Sequence, residues 1–357
     1  MASDPSPVLA PLPPVEQIRP GLWVVPVPIP MNSLRYVLVY VFATERGAYL
    51  IDAGWNTDEA FDALAEGLRQ AGFAMSDVRG VMVTHIHPDH YGLAGRIREA
   101  SGAWISLHPA DARLIQSRYI DPDELLEMVS ASLTRAGASE DELVGIGAAS
   151  MPVREFVKPT LPDVLIEDGD RPDVPGWNLR AIHTPGHSPG HLCFYLAEQR
   201  LMLTGDHVLP RITPNISYHP QSGKNPLGDF LNSLDKVAAE DVELVLPAHE
   251  HRFVGLTARV DALKAHHHQR FSEVVAAIRA GDDTAFAVAA RMSWSRSWDR
   301  IDGFMRRAAV GEALAHLYAL RERGILTYDE PADPQEPIRW RIVDGAIDSA
   351  VAEGLSA

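Results

Sequence analysis

An α/β fold followed by a smaller, mainly helical C-terminal domain is what this sequence predicts, on three observations. From residue 22 short β-branched and apolar runs alternate with helix-like stretches. Many of those runs stop at a polar or His-rich turn, as strands do when they deliver functional groups to a sheet edge. From residue 256 the pattern becomes helical and closes on two short strands. At 357 residues the chain exceeds a usual domain of roughly 100–200 residues, so two units are expected, 21–256 and 257–357, behind a flexible Pro-rich stretch, 1–20.

The first strands are expected at 22–27, 36–43, 48–52 and 80–84. Between them 57–72 carries Phe61, Leu64 and Leu68 at helical spacing, with Asp58 and Glu59 suited to the positive end of the helix dipole, and another helix follows Pro88. After a strand at 104–107 the rhythm breaks. Residues 109–149 read as helical, with Asp121-Pro-Asp123 at one start and Gly137 as a breaker, and are expected to be an insertion packed over the site. Strands resume at 164–167, 179–182, 191–197, 200–204 and 242–246, with a long loop at 215–229. The C-terminal helices are expected at 271–280, 284–292 behind the Asp282-Asp283-Thr284 cap signal, and 308–323 ending at Gly324. With strands at 325–328 and 338–343 they suggest a winged-helix-like domain.

Composition narrows the function. Hydrophobic residues at 46% and charged residues at 22% suit a globular protein with a full core. A net charge of −16 repels phosphate backbones, which favours a small-molecule substrate over nucleic acid while leaving room for a local basic groove. Cys193 is the single cysteine, so no intrachain disulfide forms, and it is expected to be core packing in a reducing, cytoplasmic compartment. Residues 1–30 lack a basic start and an unbroken apolar stretch. The longest apolar run, 36–43, falls far short of the roughly 20 residues a membrane-spanning helix needs, so no membrane association is expected.

The chemistry lies in Thr84-His-Ile-His-Pro-Asp-His90. His85 and His87 alternate at a strand end, so their imidazoles project to the same side and can share one metal. Asp89 and His90 fall where Pro88 favours a first helical turn, which directs them to a neighbouring point suited to a second ion. Three imidazoles and a carboxylate within six residues form a donor set that zinc favours, with manganese or iron as alternatives. Three further ligand types stand immediately after strands: His187 in Thr184-Pro-Gly-His-Ser-Pro-Gly190, Asp206 after Leu203-Thr-Gly205, and His249 after Val245-Leu-Pro-Ala248. Each alone is more often an ordinary surface or hydrogen-bonded residue; the dense cluster is hard to explain structurally.

Together these residues resemble the metallo-β-lactamase-fold hydrolases, whose signature is His-x-His-x-Asp-His followed by His, Asp and His. Leu50-Ile-Asp52-Ala-Gly54 resembles the family's Asp-x-Gly turn, and the resemblance runs over 22–252. It implies a four-layered αβ/βα sandwich with the site at the sheet edges. It further implies two divalent ions, one held by His85, His87 and His187 and one by Asp89, His90 and His249, with Asp206 bridging and Asp52 orienting ligands. A hydroxide bridging ions about 3.5–4 Å apart would attack the electrophile, with Asp89 holding it and later moving a proton.

Other histidines are kept out of the ligand set. His183 and His191 flank His187, and structural or supporting roles suit them; His207 and His251 follow ligand candidates; His266-His267-His268 reads as a solvated surface between domains. Tyr91 is a substrate contact or a packing residue. An ester-type substrate, lactone or thioester, suits the acidic chain. The phosphodiester alternative draws on the resemblance of the winged-helix-like tail to that of endoribonuclease-like members, and β-lactams go with secretion. Thr184 to His191 matches acyl-homoserine lactonases, yet those carry a tyrosine soon after the bridging acid where this chain reads Asp206-His-Val-Leu-Pro210. A nucleic-acid-binding regulator is the alternative from another class. Asp329, Glu330, Asp333 and Glu336 crowd the expected wing, favouring packing or homodimerisation, although Arg291, Arg296, Arg300, Arg306 and Arg307 form a basic cluster.

Overall fold

The computed structural model describes residues 11–30, 34–146 and 151–345. The start of the Pro-rich stretch (1–10), the end of the expected insertion (147–149) and the last C-terminal residues (346–357) lie outside the described residues. The strands are β1 (Glu16–Arg19), β2 (Leu22–Pro28), β3 (Tyr36–Thr44), β4 (Gly47–Ile51), β5 (Val78–Met82), β6 (Trp104–Leu107), β7 (Val164–Leu165), β8 (Arg180–His183), β9 (Leu192–Leu196), β10 (Leu201–Gly205), β11 (Leu244–Pro247), β12 (Leu326–Tyr328) and β13 (Trp340–Ile342). The first seven form one sheet in sequence order, antiparallel from β1 to β4 and parallel from β4 onward. A second sheet runs β11-β10-β9-β8, with β10 and β11 parallel.

Alternation along the strands sets the layers, because successive side chains point to opposite faces. In β3, Leu38, Tyr40 and Phe42 meet Leu192, Phe194, Leu196, Leu201 and Leu203 of the second sheet, forming the core between the sheets. Val37, Val39 and Val41 face the other way, onto α1 (Asp58–Gln70), where Ala60, Leu64 and Leu68 are buried. Thr57 caps that helix, its hydroxyl oxygen accepting from the Ala60 N–H at 3.1 Å. On the second sheet Cys193, Tyr195 and Met202 face away from the first and join a core with α7 (Pro226–Ala238). Helix, sheet, sheet and helix thus make four layers.

The region after β6 is helical, as expected: a short α4 (Pro109–Ala112), a π-helical turn (Gln116–Ile120), α5 (Asp123–Ala136) and α6 (Glu140–Ile146). The structure departs from expectation at several boundaries. The edge strand β1 carries no apolar alternation, and the pattern gave no sign of it. The loop expected over 215–229 ends at Asn225, whose Oδ1 accepts from the Gly228 N–H at 2.8 Å and starts α7. The first C-terminal helix, α8 (Leu256–Arg279), begins well before residue 271. Its buried stripe is Leu256, Val260, Leu263, His267, Phe271, Val274 and Ile278, and the histidine in it disguised the helical period. His267 is therefore not the solvated residue expected: it is buried against Phe230 and His316.

The stripe of α8, with α9 (Ala285–Arg291) and α10 (Gly303–Glu322), shares one apolar core with the second sheet and α7. The β12-β13 hairpin is stitched on by the Ile338 N–H to the Arg135 carbonyl (2.9 Å) and the Trp340 N–H to the Asp283 carbonyl (2.7 Å). Phe271 is fully buried in this shared core, so Phe271→Ala is expected to cost about 3–5 kcal/mol. Denaturant unfolding should show that loss in a single transition that also carries the second sheet; a separate early transition with the remainder unaffected would contradict a shared core.

Candidate metal centre

The site forms where β4, β5, β8, β10 and β11 run out. The chain leaving β5 passes Thr84, His85 and His87 and enters α2 (Pro88–Tyr91), with Pro88 at its first position, as the sequence pattern implied. His187 sits in the turn between β8 and β9, Asp206 directly follows β10, and His249 lies two residues past β11. All seven candidate residues meet. Three groups of donor atoms lie within 4.8 Å of one another: His85, His87 and His187; Asp89, His90 and His249; and His85, His90 and Asp206, which joins the other two.

Distances show how Asp206 links the groups. Its Oδ2 lies 3.5 Å from both His187 Nε2 and His90 Nε2, and its Oδ1 lies 3.2 Å from His249 Nε2. Asp89 Oδ2 lies 3.3 Å from His249 Nε2 and 3.7 Å from His90 Nε2. On the other side, His87 Nδ1 is 2.9 Å from His85 Nε2 and 3.0 Å from His187 Nε2.

The opposite ring nitrogens are anchored. His90 Nδ1–H donates to Asp52 Oδ2 (2.8 Å), His187 Nδ1–H to the Asn215 carbonyl (2.9 Å), and His249 Nδ1–H to the Tyr36 carbonyl (3.0 Å). The Thr84 hydroxyl donates to Asp52 Oδ1 (2.9 Å) and accepts from His85 Nδ1–H (3.0 Å). These bonds fix each tautomer and leave the inward nitrogen with a free lone pair. Asp52 also accepts from the Thr84 N–H at 2.8 Å. It holds a left-handed backbone, φ 65°, beside Gly54, φ 99°, where a Cβ would come within 2.7 Å of Val27.

The inward atoms fit a cation. His90 Nε2, His249 Nε2 and Asp206 Oδ1 are buried without a hydrogen-bond partner, which is costly for polar groups unless something else satisfies them. Burial above all holds His85 and His87 well below the ordinary imidazole range, and their neighbouring histidines add to it. Burial opposes the charge on His90 and His249 too, but carboxylates outweigh it: Asp52, Asp89 and Asp206 raise His90, and Asp206 with Asp89 pushes His249 up to about 10. The two carboxylates thus demand positive charge, and protons supply it where metal ions do not.

Three supporting residues stand outside the ligand set, and of these only His191 was expected to have such a role. Asp111, in α4, accepts from the Ile86 N–H (2.9 Å) and the Ser188 hydroxyl (2.8 Å) at Oδ2 and from the Gly190 N–H (2.7 Å) at Oδ1. It clamps the His85–His87 turn to the His187 turn, and a Cβ on Gly190 would come within 2.6 Å of its backbone nitrogen. In sequence it looks like an ordinary acid at a helix start. Tyr119 donates to the Ile86 carbonyl at 2.7 Å. His191, kept out of the ligand set, accepts from the Asp206 N–H at Nε2 (3.1 Å) and so positions that acid. Tyr91 is a packing residue, buried, stacked on Tyr119 and bonded to Thr160.

Comparisons with known proteins bear on the fold that carries this geometry. The family model described as the Metallo-beta-lactamase superfamily matches residues 33–249. A crystal structure of a metallo-beta-lactamase family protein from Thermus thermophilus is 31% identical, covers 92% of this chain and 100% of that one, and gives a TM-score of 0.78. A lactamase-like protein of Aspergillus niger is 35% identical over 120 residues, 34% of this chain; the match spans about a third, 35%, of that relative's length. An atrochrysone carboxyl ACP thioesterase of Paecilomyces divaricatus is 28% identical over 246 residues, 68% of this chain and 59% of its own length.

The proton content of the site makes its metal affinity depend on pH. A ligand must be deprotonated, so an ion entering beside His90 and His249, both raised, must displace protons, whereas His85 and His87, both lowered, are already free. One ion's affinity is therefore expected to rise roughly tenfold per unit of pH for each proton released between about pH 6 and 8. The other should stay nearly constant. Competition with a chromophoric chelator across that range checks this; two pH-independent affinities would contradict it.

Proposed function

Because the chain belongs to the metallo-beta-lactamase superfamily, we propose that it is a dinuclear metal-dependent hydrolase acting on an ester-type bond, a lactone or thioester. The observation that carries this reading is the position of Asp206, with one oxygen toward His187 and His90 and the other toward His249. His85, His87 and His187 would hold one divalent ion and Asp89, His90 and His249 the other, with Asp206 shared. Imidazole and carboxylate donors make zinc the first choice, with manganese or iron as alternatives. When bound, the ion pair supplies a water activated for attack and positive charge opposite the developing oxyanion.

The chain's own groups do the remaining work. Asp52 and Thr84 hold His90 and His85 in the ligating tautomer. Asp89 is favoured to stay ionised by His90 and His249 against the opposing effect of burial, and its Oδ2 faces the shared site. It is the group to take a proton from the attacking water and pass it to the leaving group. Burial of the centre keeps bulk solvent from screening these interactions.

The name of the Paecilomyces relative as a carrier-protein thioesterase supports the thioester half of the reading. The stretch Asp206-His-Val-Leu-Pro210, without a tyrosine, gives the lactone half less support. Residues 257–345 are read as a winged-helix-like module used for packing: on the hairpin and its neighbours Arg339 pairs with Asp283, Arg341 with Asp329 and Arg135 with Glu330. Those pairs take up both cations of the hairpin, Arg339 and Arg341, which weighs against the wing as a nucleic-acid grip.

Two measurements test the reading. Elemental analysis should find close to two transition-metal ions per chain, and Asp206→Ala should lose metal and hydrolysis together; full activity in that variant would remove Asp206 from its shared role. In a panel of thioesters, lactones, phosphodiesters and β-lactams offered to the zinc- and manganese-loaded protein, thioesters or lactones should turn over fastest. Turnover confined to phosphodiesters would replace the ester reading with the nuclease one.

A further inference from the structure

Beside the centre lies a cavity of about 230 Å³, between the turn that carries His187 and the loop that leads into α7. The His187 ring is part of its wall, together with Gly186 on the same turn, His219, Ser222 and Gly223 on the loop, and Asp229 in α7. Pockets that enclose a whole small ligand take roughly 300–1,000 Å³, so this one has room for an arm of a substrate and not for all of it. Gly186, with φ 142°, lets the His187 turn approach α7: a Cβ there would come within 2.5 Å of Phe230 Cβ. Gly223 leaves Asp229 uncovered, for a Cβ there would stand 3.1 Å from Asp229 Oδ2. The loop between them is braced by its own bonds, the His219 N–H donating to Ser222 Oγ at 3.1 Å and the Gln221 N–H to His219 Nδ1 at 3.2 Å.

Among the described residues that line this cavity Asp229 is the one acid, and no Lys or Arg stands with it. It is half-buried, and its carboxylate makes no hydrogen bond or ion pair with any described residue. Burial first, and then Glu322, hold that carboxyl above the ordinary range, with His183 opposing them. Glu322 has its own donor, Asn225 Nδ2–H. His219 brings no charge to offset the acid, because burial lowers its pKa to about 3. An acid in a first helical turn gains from the helix dipole, which accounts for an aspartate at this place but leaves its oxygens without a donor. A carboxylate withdrawn partly from water into such a cavity is costly until a donor meets it.

We propose that Asp229 makes this cavity a subsite for an N–H donor, an ammonium or an amide, on an arm of the ester hydrolysed at the adjoining centre. A carboxylate meets either group with a charge-assisted hydrogen bond. The shared His187 ring puts the arm beside the donor set, so the subsite selects among esters by what their arm carries. The reaction part rests on the hydrolase reading; the subsite itself rests on the cavity and its unpaired acid.

The test offers the zinc-loaded full chain thioesters of equal length whose arm ends in an ammonium, an acetamide or a plain alkyl group. The wild-type protein should prefer an N–H-bearing ester through KM, and whichever group gives the larger preference identifies the donor. Asp229→Ala should reduce that preference about 10- to 100-fold, as loss of a hydrogen bond to a charged group implies. Gly223→Ala, which crowds Oδ2, should reduce it in the same direction and keeps the test open if Asp229→Ala does not fold. A wild-type protein indifferent to the N–H, or a preference unchanged in both variants, overturns the subsite; a helix-dipole role alone would lower the melting temperature of Asp229→Ala and leave the preference as it was. Should no ester of the series turn over on the metal-loaded protein, the ester reading fails, and titration with n-butylammonium decides the subsite. Binding roughly tenfold or more weaker in Asp229→Ala supports it, and equal binding, or none to the wild-type protein, overturns it.

Discussion

Two carboxylates, one buried and one nearly so, that must face the same few ångströms are the constraint around which this molecule is built. Asp89 and Asp206 both approach His90 and His249, and in a site with little water their charges repel strongly unless cations stand between them. The imidazoles alone can supply that charge only as protons on His90 and His249. Every outward hydrogen bond around the centre, from Asp52 through Thr84 to the Asn215 and Tyr36 carbonyls, orients a nitrogen inward, toward a positive charge. The sandwich satisfies this because five strand ends open at one rim, where side chains from distant parts of the chain converge without a buried loop.

The fold and the centre were legible to different depths. Strands with clean alternation, such as β3, were visible because each face is buried in a different core. The cluster at His85 to His90 was visible because alternation and a proline at a helix start fix where its side chains point. His187, Asp206 and His249 carried little signal alone and were tied to the centre by the order of their motifs. Asp111 was not legible. An aspartate in a first helical turn is ordinary, and only the folded chain shows that its oxygens meet donors 25, 77 and 79 residues away. The length of α8 was hidden for a related reason: His267 occupies an apolar position on the helix because Phe230 and His316 receive it, and a polar residue in the stripe breaks the pattern by which helices are recognised.

The two helical regions, after β6 and after β11, act on the centre in different ways. The first reaches beneath it through Asp111 and Tyr119. The second reaches beside it through the loop over 212–225, which links α10 to His187 by way of Asn215, Ser217 and Tyr218. The candidate metal centre is thus built by the strand ends, and both helical regions tie into the turns that carry its residues.

That difference decides which side of the site can move. Lifting the helical region would strip the buried Asp111 carboxylate of two N–H donors and one hydroxyl donor, and hydrogen bonds to a charged group contribute roughly 1.5–3 kcal/mol each. It would also release the Ile86 carbonyl from Tyr119. Opening on that side would disorder the His85–His87 turn and the His187 turn together, and with them half of the donor set. The loop over 212–225 is held to the centre by one bond to a ligand, His187 to Asn215; its ends bond charged groups, Ile212 to Arg259 and Glu250 and Asn225 to Glu322, and its middle is held by neutral hydrogen bonds that water can replace. Moving the middle of that loop would therefore release one ligand anchor, whereas lifting the helical region would release the turns that carry His85, His87 and His187.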